Sequence, residues 1–86
     1  MYLHLGQDTV VKQADVIGVF DLDTATVAKR TREFLAKSDK NKRVESVSWE
    51  LPRSFTVCAG KNGENERVYL SPLSPATLEK RAQSML

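Results

Sequence analysis

Apolar positions along this chain fall in short clusters whose period changes from one segment to the next. Tyr2, Leu3 and Leu5, with His4 among them, precede a Gly6-Gln7-Asp8 turn, and Val10 and Val11 restart the pattern within residues 9–12. That arrangement predicts an N-terminal hairpin. After the polar break Gln13-Ala14-Asp15, the run Val16-Ile17-Gly18-Val19-Phe20 is the most apolar of the chain, which predicts a buried strand at the centre of a sheet. Gly18 weakens such a strand unless an aromatic ring or another backbone approaches it closely. From Thr24 to Lys37 the period lengthens: Val27, Ala28, Thr31, Phe34 and Leu35 share one helical face, with caps on offer in Asp21, Asp23 and Thr24. Lys29, Arg32, Glu33 and Lys37 fall away from that face, so the outer surface of this helix is mostly basic.

Residues 38–42, SDKNK, have the composition of a loop, and Val44, Ser46, Val47 and Trp49 suggest a short irregular strand that Pro52 ends. From Arg53 to Ala59 the alternation places Phe55, Val57 and Ala59 on one side and Ser54, Thr56 and Cys58 on the other. Residues 66–70 are expected to pair antiparallel with this strand across GKNGENE, with Arg53 and Arg67 at one end of the hairpin. Ser71-Pro72 and Ser74-Pro75 forbid further strand. Ser74 is a good N-cap, Pro75 suits a first helical turn, and Leu78, Ala82 and Met85 recur at helical spacing, which predicts a closing helix over 75–84. The order of elements gives an α+β fold in a single domain, residues 1–86: a small, mainly antiparallel sheet with one internal helix and a C-terminal helix.

Composition narrows the class. With 41% apolar and 28% charged residues the chain falls among ordinary globular proteins. No apolar run approaches a membrane span, and the N-terminal sequence has neither the basic start nor the apolar core of a signal peptide, so a cytoplasmic protein is expected. Eighty-six residues allow only a modest core, which favours burial against partner copies. The net charge of +2 conceals an uneven distribution: residues 29–43 carry +5 and the remainder −3. A basic segment of that kind is either a docking surface for polyanions or acidic partners, or a solvated helix end.

Enzymatic chemistry finds no constellation. His4, between Leu3 and Leu5, reads as a structural histidine, and Cys58 within a strand reads as a small hydrophobe. One cysteine and one histidine make neither a disulfide nor a structural zinc site. Asp21-Leu22-Asp23 lacks the rest of a calcium loop, and GKNGEN is not followed by the Lys-Ser/Thr helix start of a phosphate-binding loop. No cofactor, metal or small-molecule substrate is expected. The candidate phosphate contacts are Lys29, Arg30, Arg32, Lys37, Lys40, Lys42, Arg43 and Arg53. Trp49 is either a core ring or an exposed anchor, and Trp49, Leu78 and Met85 are the candidate protein-interface residues.

Several of these segments together resemble a known family. Leu3-His4-Leu5-Gly6, Val10-Val11, Asp15-Val16-Ile17-Gly18-Val19-Phe20-Asp21 and residues 69–82, YLSPLSPATLEKRA, look like the small bacterial extracellular matrix regulatory proteins, RemA and RemB, and most like the RemB (YaaB) branch. The resemblance runs nearly end to end. It implies a LytTR-like fold and a cytoplasmic, non-enzymatic homo-oligomer. In the RemA branch it implies rings that bind DNA and activate transcription of biofilm-matrix operons. Asp15 stands where that branch carries an arginine, and Leu51 and Pro52 stand where it is basic or polar, while Arg53 matches a member of its basic cluster.

Overall fold

A computed structural model describes residues 1–22, 29–60 and 66–84 of the chain. The elements run β1 (Tyr2–Gly6), β2 (Thr9–Lys12), a single 3-10 turn (Gln13–Asp15), β3 (Val16–Asp21), α1 (Lys29–Lys40), β4 (Val44–Ser46), β5 (Ser54–Cys58), β6 (Arg67–Ser71) and α2 (Pro75–Ser84). The class is α+β. The hairpin β1–β2 forms as expected, with Gly6 at φ +143° and Gln7 at φ +42° making its turn. A side chain at Gly6 would also meet Val47 Cγ2 at 3.2 Å.

The second sheet has the strand order β3-β5-β6-β4. Its β3–β5 and β5–β6 pairs are antiparallel and its β4–β6 pair is parallel. The expectation of β3 as the central strand is therefore corrected: β3 is an edge, and β5, buried at all five positions, takes the centre. Strand residues alternate between faces, and both faces of β5 are covered. On one, α1 lays Phe34 and Leu35 against Phe55, Val57 and Val68. On the other, the hairpin and α2 bring Leu3, Leu5, Val11 and Leu78 against Val47 and Cys58. Apolarity alone did not separate an edge from a centre, because β3 spends part of its apolar surface on solvent.

Gly18 is explained by a ring. A Cβ there would lie 2.8 Å from Cε2 and Cζ of Phe20, whose ring stacks on Phe55 with centroids 5.0 Å apart and planes 20° from parallel. The helix α1 runs three residues further than its sequence pattern, through Ser38, which is buried, and Asp39 to Lys40. It stops at Lys42, whose φ of +58° is left-handed. The amides of Lys42 and Arg43 then donate to the carbonyls of Asp39 and Ser38, both at 2.9 Å. Of the expected caps, Asp21 ends β3, while Asp23 and Thr24 lie outside the described residues. The span of α2 agrees with its sequence reading, and Ser74 Oγ accepts from the Thr77 amide at 3.2 Å as the N-cap.

Cys58 is a buried free thiol. Burial, and then the negative charge of Asp15, push its pKa from the ordinary 9.0 up to about 11. The folded state thus holds the proton more tightly than the unfolded state does. Its contribution to stability is complete below about 9 and is lost as pH rises through about 11. Cys58 is expected to resist a thiol reagent in mildly alkaline buffer and to react fully once the chain is denatured. Equal rates in the two states would contradict its placement.

Candidate nucleic-acid interface

Phe34 and Leu35 hold α1 on the sheet, and at 3.6 residues per turn this places its cations outward. Arg30, Arg32, Lys37 and Lys40 are all exposed. Arg30, Lys37 and Lys40 share one flank with Glu33, and Arg32 lies on the other. Lys29 opens the helix; its side chain lies outside the description. Lys37 and Lys40 stand in the last turn, where the helix dipole also favours cations.

Beyond the helix, parallel pairing makes a juxtaposition that the sequence reading missed. Val44 pairs with Val68, and the Val68 amide donates to the Arg43 carbonyl at 2.8 Å. Arg67 is thereby brought beside Lys42 and Arg43, and the three line a recess of about 280 Å³ together with Glu45 and Tyr69. Lys42 and Arg67 are exposed and Arg43 is half-buried. The signal that could have found this site is the β-branched Val44 directly after the basic pair Lys42-Arg43, read as a partner for Val68 rather than as an isolated fragment.

Arg53 stands elsewhere. Ser54 pairs with Ser71 and Cys58 with Arg67, so Arg53 and Arg67 lie at opposite ends of the hairpin, not at one end as expected. Asp15 is exposed and lines a neighbouring recess with Lys12, Cys58, Arg67 and Tyr69. Arg67 is common to both recesses, so the negative charge of Asp15 bears on the basic group from its far side.

The candidate interface residues separate clearly. Trp49 is 89% exposed and Leu51 86% exposed, so Trp49 is not a core ring of the single chain. Leu78 is 1% exposed and packs in the core beneath α2. It is corrected from a contact residue to a packing one, because the helical stripe that carries it is spent on the hairpin. Met85 lies outside the described residues.

Arg81 of α2 is half-buried, with Nη1 3.2 Å from His4 Nδ1 and donating to the His4 carbonyl at 3.4 Å. His4 Nε2 bonds the Gln7 carbonyl. These bonds tie α2 to the hairpin and give His4 a structural part. Among the described residues no group of three His, Cys, Asp or Glu side chains gathers as a metal site, and no helix is long and apolar enough to cross a membrane.

No family model matches the chain. A curated protein does: extracellular matrix regulatory protein B of Bacillus subtilis (strain 168) is 44% identical over 85 residues, covering 99% of this chain and 94% of that protein. Identity of that level over nearly the whole length spans the hairpin, the four-stranded sheet and both helices, and the chain belongs to the extracellular matrix regulatory protein B family.

Proposed function

We propose that the chain is a DNA-associated regulator of extracellular-matrix and biofilm genes, acting at the level of transcription as a cytoplasmic homo-oligomer. The relative's name makes it a regulator of the extracellular matrix, and this chain is a regulatory protein rather than an enzyme. The observation that carries DNA association is the gathering of Lys42, Arg43 and Arg67 on one recess, close in sequence to the exposed Lys37 and Lys40, a set of cations suited to more than one phosphate rather than to a single small anion. The LytTR-like fold implied by the family resemblance and the single-domain organisation belong to the same proposal. No base-reading element is part of it, and specificity comes from DNA shape and from the spacing of repeated subunits.

Binding of the purified protein to a mixed-sequence duplex at two salt concentrations tests this reading, with native mass measured in parallel. The expected result is an oligomer whose log affinity falls with log salt by about 0.9 per phosphate neutralised. Absence of binding at low salt would sink the DNA reading. It would favour the second reading, a protein-interaction module modulating a related regulator, which the exposure of Trp49 supports.

A further inference from the structure

Among the uncovered apolar features of the described chain, two are of opposite shape. The convex one is the β4–β5 loop, which carries Trp49 and Leu51 into solvent. Its ends are pinned: Val47 is buried and its amide donates to the Leu70 carbonyl at 3.0 Å, and the Arg53 amide donates to the Ser71 carbonyl at 2.8 Å. Within it the Glu50 amide donates to Ser48 Oγ at 2.9 Å. A loop held in this way presents its ring at little further entropic cost. The concave feature is a groove of about 350 Å³ on the α1 side of edge strand β3. Ile17, 60% exposed, and Phe20, 43% exposed, form its lip over Phe34, Phe55 and Val57.

We propose that the Trp49–Leu51 knob of one copy seats in the β3-edge groove of a second copy, and that this contact builds the homo-oligomer on which the functional reading rests. Charge supports the pairing. The groove is rimmed by Arg30 and Glu66, and the knob is flanked by Glu50 and Arg53. A seating that brings Glu50 to Arg30 leaves Arg53 for Glu66, whereas the reversed seating opposes like charges. The contact also covers an edge strand whose exposed apolar residues otherwise invite unspecific pairing. Because knob and groove are different patches, the contact is heterologous: each added copy still offers one of each, so the assembly closes into a ring or runs on as a chain.

Two exposed substitutions test it, Trp49→Ala for the knob and Ile17→Glu for the groove, each first checked for a wild-type circular dichroism spectrum and a cooperative melting transition. Each variant alone is expected at the mass of one chain, 9.6 kDa. Mixed in equal amounts they are expected to give a particle of twice that mass, since the intact knob of one fits the intact groove of the other and nothing propagates further. A mixture that stays monomeric, or a single variant that keeps the wild-type oligomer, overturns the knob-and-groove contact and leaves the oligomer to another surface, such as β3 pairing with β3. A monomeric wild-type protein instead overturns the homo-oligomer reading itself.

Discussion

Leu78→Ala is expected to destabilise the chain by about 2 to 5 kcal/mol, the range for removing a buried leucine side chain whose site cannot collapse. A domain of this length holds about 4 to 13 kcal/mol in all, so the loss is a large fraction of its stability. Leu78 is the inward residue of α2 and packs with Leu3, Leu5, Val11, Val47 and Cys58, which come from the hairpin, the β4–β5 loop and β5. Removing it opens a void where three parts of the chain meet, bordered by the partly buried Leu73 and Ala82. Urea denaturation checks this through a lowered midpoint with an unchanged slope. Trp49→Ala, on an almost fully exposed ring, is expected within about 0.5 kcal/mol of wild type when measured on the monomer. An unchanged midpoint for Leu78→Ala would mean that α2 is not docked on the hairpin in solution.

What could be read in advance followed from signals that act locally. Turn chemistry at Gly6-Gln7-Asp8 placed the hairpin to within a residue, Gly6 still pairing with Thr9, and the Ser74 cap with Pro75 placed α2, because each depends on a few adjacent dihedrals. Gly18 announced a close neighbour, a ring or another backbone, and it is the ring of Phe20, two residues on along the same face. The errors concern non-local choices. Nothing in Val16–Phe20 tells whether one or both of its edges are paired, and its apolar character fits a central strand as well as an edge strand awaiting cover. The end of α1 was misplaced because Ser38-Asp39-Lys40 carries polar residues of loop type, although Ser38 is buried against the fold. The basic site was half legible: the charge excess over residues 29–43 was plain, but Arg67 joins it through a parallel pairing between segments more than twenty residues apart in sequence.

That pairing gives the second large effect. On the proposed reading, Lys42→Asn combined with Arg67→Ala is expected to lower the salt slope of duplex binding by about 1.8, or about 0.9 for each phosphate contact removed. Asparagine is chosen at position 42 because it tolerates the left-handed backbone there, φ +58°. Arg67 is exposed on β6, so its truncation leaves the core in place. Arg43 is kept, since it is half-buried and already engaged within the chain. Two comparisons separate a phosphate site from a general effect of charge. Glu79→Gln, exposed on α2 and lining neither recess to which Arg67 belongs, raises net charge by the same step as Asp15→Asn but away from those recesses, and is expected to change little. Asp15→Asn, beside Arg67, is expected to tighten binding because it removes a repulsion that faces the phosphates. If the double variant keeps the wild-type slope, the recess is not where DNA lies. If Glu79→Gln and Asp15→Asn strengthen binding equally, net charge acts at long range and the geometry of Lys42, Arg43 and Arg67 has no special part.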